Sequence, residues 1–256
     1  MFQVPQQLVA MRNEIQALIM AKGLPSFYIT INSADVYNPL VKFLADGNID
    51  IDHLLPEHVP DYMQQSILVA RNPFIAAQFF NIYMKAFVKT VLGYDPSKKD
   101  NEGGILGSIA AYYGCVEAQG RGTLHCHMLI WLDGALNCDE IRQKVLDNDL
   151  DFQHRLIKYI DDCISNEIPA LPKHTTNVPS DHFHPCSVRA YTDLNNNVAR
   201  QKDLHNLVKN CQTHKHSATC YKYRKEGQPR ECRFGLNEHN FHAKMEFDPE
   251  TGELQI

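Results

Sequence analysis

Gly120-Arg121-Gly122-Thr123-Leu124-His125-Cys126-His127-Met128-Leu129-Ile130-Trp131 reads as a tight glycine turn feeding a β-strand. Side chains alternate across a strand, so His125 and His127 share one face while Leu124, Cys126 and Met128 take the other. The preceding segment, Ala111-Tyr112-Tyr113-Gly114-Cys115-Val116-Glu117, is also strand-like. A hairpin centred near Gly122 sets Gln119 across from His125 and Glu117 across from His127, with all four side chains on one face. Two imidazoles and one oxygen ligand, from Gln119 or Glu117, can share a divalent ion and keep positions open for a phosphate oxygen. The structural alternative is a buried hairpin with two hydrogen-bonded histidines.

Upstream, Leu8, Met11, Ile15, Leu18 and Ile19 recur at helical spacing, and Gly23 followed by Pro25 ends that helix. Ser26-Phe27-Tyr28-Ile29-Thr30-Ile31-Asn32 is rich in β-formers and reads as a strand, with Thr30 and Asn32 on one face, able to cap the next turn or to contact a ligand. From Pro39 to Asp52 the pattern is weak, and Leu55 to Pro60 reads as a loop. Asp61 caps a helix over Tyr62 to Arg71, and Asn72-Pro73 breaks it. The next helix, Phe74 to Leu92, is apolar nearly all round, which predicts burial of Ile75, Phe79, Phe80, Ile82, Tyr83, Phe87 and Val91. Beyond the hairpin, Asn137 with Glu140 opens a short helix, and another fits Phe152 to Ser165. The order predicts an α+β fold: an antiparallel sheet carrying the His-x-His hairpin, with helices packed on one side of it.

Pro169, Pro172, Pro179 and Pro185 mark a connection in which His182, His184 and Cys186 alternate. The expected division is a main domain over residues 1–168, a Pro- and His-rich linker over 169–197, and a small Cys/His module over 198–256. After a helix from Val198 to Asn210, the residues His214, His216, Cys220 and Cys232 form a set of N and S ligands that suits tetrahedral zinc, with Cys211 as a competing fifth. A closed set of this kind is structural and can contribute about 10–16 kcal/mol to folding a module too small to bury a core. The spacing is not that of a ββα finger.

At 256 residues, 44% hydrophobic and 21% charged, the chain has the composition of a globular protein. The net charge of -5 excludes a uniformly basic nucleic-acid binder, yet between Arg200 and Arg233 nine basic residues face three acidic ones, so phosphate binding is open to that segment. No apolar run approaches a membrane span, and Met1-Phe2-Gln3-Val4-Pro5 lacks the features of a signal peptide, so an intracellular location is expected. In that setting the eight cysteines are not expected to pair as disulfides. No Gly-x-x-x-x-Gly-Lys-Ser/Thr loop occurs, which excludes a P-loop helicase motor from these residues.

The run from Gly114 to Trp131 resembles the core motif of the helicase-like domain of Helitron transposons, whose replication-initiator part is an HUH nuclease (histidine, hydrophobic residue, histidine). Phe27 to Asp35 is similar to that family's first motif, Ile105-Leu106-Gly107 to its approach to the hairpin, and His214 to Phe234 to its Cys/His segment. The resemblance implies a rolling-circle replication initiator that nicks single-stranded DNA at a transposon end and joins itself to the 5′ phosphate through a tyrosine. It implies Mg²⁺ or Mn²⁺ on His125 and His127 with Gln119 or Glu117, structural Zn²⁺ on His214, His216, Cys220 and Cys232, and DNA contacts from Thr30, Asn32 and Arg121. It further implies a C-terminal helicase domain as partner, and a nuclear location if the source is eukaryotic.

One feature departs from the family pattern. There the nucleophilic tyrosines follow the Cys/His segment, and here no tyrosine follows Cys232. Tyr159, flanked by Leu156, Ile160 and Ile164, reads as a helix packing position and not as a nucleophile. The chain is therefore expected to be the N-terminal part of a longer protein or a truncated copy, inactive in isolation. The alternative is a non-catalytic, zinc-dependent nucleic-acid-binding domain. A histidine-triad nucleotide hydrolase is disfavoured because Leu129 stands where that strand needs its third histidine.

Overall fold

Three strands make the sheet that carries the histidines: β1 (Phe27–Asn32), β2 (Ile109–Ala118) and β3 (Leu124–Leu132), in the order β1-β3-β2 with both pairings antiparallel. The computed structural model describes residues 6–47, 61–98, 101–118, 122–165, 167–172, 197–222, 227–236 and 244–255. These fall into two compact units, residues 6–138, and residues 139–172 together with 197–255. The protein is an α+β chain with an antiparallel sheet.

β3 takes the centre because it is apolar on both faces. Cys126, Met128 and Ile130 are buried on one, and Trp131 is buried on the other, beyond the histidines. Its pairing with β2 differs in register from the sequence expectation. Glu117 lies opposite His125, and Cys115 lies opposite His127. The last pair is Ala118 with Leu124, which leaves five residues, 119–123, for the connection, where the expected register left three. Because side chains alternate with period two, a slip of two residues keeps Glu117 on the histidine face. Gln119, Gly120 and Arg121 lie outside the described residues.

The second neighbour of β3 is β1, with Thr30 opposite His127 and Asn32 opposite His125. Helix α1 (Gln6–Lys22) reaches the histidine face of the sheet at its far end: Tyr113 donates to Glu14 Oε2 at 3.1 Å, and Trp131 Nε1 donates to the Gly23 carbonyl at 2.9 Å. The opposite face meets helix α4 (Pro73–Ala86), whose Phe80 and Met84 line a cavity of about 640 Å³ with Gly114, Val116, Cys126 and Met128. Helix α4 thus packs on one face of the sheet, and on the other two hydrogen bonds tie the region of α1 to Tyr113 and Trp131. Trp131 continues the histidine face as an apolar surface, and that surface needs cover.

Helices α2 (Pro39–Asp46) and α3 (Tyr62–Arg71) complete the layer with α4 around Val41, Val69, Ala76 and Phe79. α2 occupies a stretch expected to lack pattern. Its start is set by Asn38, whose Oδ1 accepts from the Leu40 N–H at 3.0 Å, with Pro39 at the first helical position. α3 begins as expected, with Asp61 Oδ1 accepting from the Gln64 N–H at 2.8 Å. α4 runs into a wide turn over Phe87–Val91, closed by Leu92 N–H to Phe87 carbonyl at 3.1 Å. Burial of the long helix is one-sided and not complete: Phe79 and Phe80 are buried, but Phe74 and Ile82 are exposed. The turn is then locked by close backbone approach, since a Cβ on Gly104 would collide with the Val91 carbonyl oxygen.

In the second unit, α5 (Cys138–Leu146) is followed by α6 (Leu150–Cys163), capped by Asp149 Oδ1 accepting from the Phe152 N–H at 3.0 Å. α7 (Asn197–Leu207) continues through a wide turn over Val208–Gln212 towards the Cys/His segment. A short pair, β4 (Glu246–Phe247) and β5 (Leu254–Gln255), closes around a turn at Asp248. Most of the Pro- and His-rich connection, including His182, His184 and Cys186, lies outside the described residues. Among the described residues no helix is long and apolar enough to cross a membrane, and none of the seven described cysteines is joined in a disulfide.

Candidate metal centres

Glu117, His125 and His127 bring three donor atoms together on the sheet. The two Nε2 atoms are 3.0 Å apart, and Glu117 Oε2 stands 3.4 Å from each. An ion about 2.1 Å from each donor would space them by about 3.0 Å at right angles and about 3.4 Å at the tetrahedral angle. The triangle therefore has the edge lengths of one face of a coordination polyhedron. The carboxylate faces both imidazoles. The His125 side chain is 7% exposed and Glu117 63%, so the set is anchored in the sheet at one corner and open at another.

The second ring nitrogen of a ligating histidine needs a partner that fixes the tautomer. His127 Nδ1 has two, Tyr28 OH at 2.9 Å and Thr30 Oγ1 at 3.0 Å. Tyr28 also stacks on the His127 ring, with centroids 5.8 Å apart and planes 6° from parallel. With a proton on Nδ1 donated to either oxygen, the Nε2 lone pair points to Glu117 and His125. His125 Nδ1 is buried with no hydrogen-bond partner among the described residues. Its ring is held by packing and by what happens at Nε2.

The two polar residues of β1 therefore take different positions. Thr30 bonds His127, while Asn32 Oδ1 accepts from the Ala34 N–H at 3.5 Å, a long contact of the turn-capping kind. Below the turn, Gln65 on α3 is fully buried and its Nε2 donates to the carbonyls of Asn38 at 3.0 Å and Asp35 at 3.4 Å, tying the end of β1 to the helical layer. Asp35 is itself buried, and burial pushes its carboxyl above the usual carboxylate range, partly offset by the Val36 N–H that its Oδ1 accepts at 2.8 Å. Tyr28 was absent from the sequence-level candidates. Its signal was parity: it alternates with Thr30 and Asn32, and once β1 is placed beside β3 it must face the histidines.

In the second unit, His214, His216, Cys220 and Cys232 place one donor atom each within 4.8 Å of one another, and Cys211 stands outside this set. Cys220 Sγ and Cys232 Sγ lie 3.4 and 3.6 Å from His214 Nε2. Tetrahedral zinc, with bonds of about 2.3 Å to sulfur and about 2.05 Å to nitrogen, sets an S–N edge of about 3.6 Å. Cys220 is buried, and its sulfur accepts from the Ser217 N–H at 3.4 Å. The Arg233 N–H reaches the Cys220 carbonyl at 3.0 Å, which joins the two cysteine segments.

A small antiparallel α+β domain with a carboxylate and two imidazoles converging on one sheet face defines a candidate metal-binding protein. The family described as Helitron helicase-like domain at N-terminus matches residues 3–130, half of the chain, and the chain belongs to that family. The match runs from α1 almost to the end of β3 and so includes Glu117, His125 and His127. No curated protein and no solved structure matches it.

Proposed function

We propose that this chain is the metal-site part of a Helitron-type rolling-circle replication initiator, acting on single-stranded DNA in metal-dependent nicking and strand transfer. The observation that carries the reading is the Glu117–His125–His127 triangle, with edges of 3.0 and 3.4 Å, inside the region that matches the family. Glu117, His125 and His127 would hold Mg²⁺ or Mn²⁺, which would supply positive charge to a scissile phosphate. Glu117 is 63% exposed, so a phosphate could reach an ion held there. Tyr28 and Thr30 keep the His127 proton on Nδ1 so that Nε2 stays a ligand. Asn32 and Arg121 are proposed to meet the DNA strand beside the site, and Gln119 remains a proposed further ligand. The helicase partner and a nuclear location belong to the same proposal.

Three of the described tyrosines, Tyr28, Tyr113 and Tyr159, are poorly suited to attack. The Tyr28 hydroxyl is committed to His127, and Tyr113 donates to Glu14 and is pushed above the usual phenol range by burial and by that carboxylate. Tyr159 is pushed up to about 12 by burial, with Cys163 adding to the effect. An oligonucleotide incubated with the chain and Mn²⁺ is therefore expected to bind without forming a covalent adduct. A tyrosine-linked product that survives denaturing electrophoresis would overturn this part of the reading.

A further inference from the structure

The Cys/His segment carries two aromatic rings, each paired with a guanidinium. Phe234 is 56% exposed, and the Arg233 guanidinium lies over its ring at 4.3 Å. Tyr221 is half-buried, with the Arg230 guanidinium over its ring at 5.6 Å. Each ring also leans on a histidine of the cluster: Phe234 on His214 with centroids 5.7 Å apart, and Tyr221 on His216 with centroids 6.3 Å apart and planes within 26°. Guanidinium–aromatic pairs occur roughly once per 70–80 residues in proteins at large. Two such pairs lie within the fourteen residues from Tyr221 to Phe234, the second between sequence neighbours. The surrounding segment, Arg200 to Arg233, has nine basic residues against three acidic ones in a chain of net charge -5.

We infer that Phe234, Tyr221, Arg233 and Arg230 form a stacking surface for single-stranded DNA, separate from the hairpin metal site. Exposed bases stack on aromatic rings and on the guanidinium plane, while the same arginines and their basic neighbours meet the phosphates. A duplex hides its base faces and offers only the phosphates. His214 and His216, held by the Cys/His set, fix the rings in place before the strand arrives. The choice of a single DNA strand as ligand rests on the replication-initiator reading, whereas the surface itself rests on the four side chains.

The test uses the whole zinc-loaded chain without Mg²⁺ or Mn²⁺, and a fluorescein-labelled mixed-sequence oligodeoxynucleotide of about 12 nucleotides, within the span such sites cover. Phe234→Ala is expected to weaken binding about tenfold, the loss of one stacked base. Phe234→Trp is expected to retain binding, and the emission of the introduced indole should be quenched by the oligonucleotide, because the native Trp131 is only 2% exposed. Arg230→Ala and Arg233→Ala should each lower the steepness of log K against log salt by about 0.7. Binding by Phe234→Ala within twofold of the parent, an unquenched indole, or a duplex of the same sequence competing as well as the single strand would each overturn the inference. Phe234→Ala should still take up Mn²⁺ as the parent does. A parent chain that takes up no Mn²⁺ while Phe234→Ala still weakens strand binding would fail the nicking reading and leave this surface standing.

Discussion

The two hydroxyl groups behind His127 give the sharpest mutational test of the hairpin site. Tyr28 OH and Thr30 Oγ1 lie 2.9 and 3.0 Å from the same Nδ1 atom. One ring proton serves both, so either oxygen alone can keep the tautomer that leaves Nε2 free. Tyr28→Phe retains the ring that stacks on His127, and Thr30→Val retains the shape of the side chain, so each removes little besides an acceptor. Loss of the partner behind a metal-bound histidine costs about 10–100-fold in affinity, or about 1.4–2.7 kcal/mol. Each single variant is expected to lose less than about tenfold, because the second oxygen remains and water can reach the exposed Tyr28. The double variant is expected to reach the 10–100-fold range, more than the product of the two single losses. Isothermal titration of Mn²⁺ into chains already loaded with zinc measures all three, with circular dichroism as the check on folding. A double variant within twofold of the parent, or losses that simply multiply, would refute the shared-proton reasoning.

Other outcomes test the rest of the molecule. The zinc-loaded chain should hold about one tightly bound zinc, and Cys220→Ser should lose it together with order in the C-terminal segment, at a cost on the scale of about 10–16 kcal/mol for such modules. A metal-free preparation with that segment still ordered by hydrogen exchange would contradict the assignment. Asp35 tests the sign of a buried carboxyl. Its pKa is raised by burial, so the native chain holds the proton more tightly than the unfolded chain. The associated stability is complete below the ordinary carboxylate value and is lost as pH rises through the raised one. Asp35→Asn, which keeps an acceptor for the Val36 N–H, should therefore raise the melting temperature more at about pH 7 than at about pH 4. A gain at least as large at the lower pH would contradict it.

The parts of the fold carried by local pattern could be read from the sequence. Alternation placed His125 and His127 on one face, and Glu117 joined them because parity survives the two-residue error in register. The connection length that caused the error depends on how 119–123 close the hairpin, and apolar spacing does not encode it. The pairing of β1 with β3 joins residues nearly a hundred positions apart, so nothing local announced that Tyr28 and Thr30 would stand behind His127. Helix α2 had its cap, Asn38-Pro39, in plain view, but its eight residues give too few turns for periodicity to register. The long apolar helix misled differently. Phe74 and Ile82 remain exposed because α4 meets the sheet and α2 along one side only. In the Cys/His segment, spacing picked out four candidate residues with Cys211 as a rival, and in three dimensions the four donor atoms lie together while Cys211 stands outside the group.

The proposed ion site at Glu117, His125 and His127 is tested most directly by Mn²⁺ titration of the native chain against a chain with His125→Ala and His127→Ala together, both with the Cys/His set filled by zinc. One Mn²⁺ per native chain and none in the double variant is the expected result. Equal Mn²⁺ binding by both chains would contradict the site and with it the nicking function.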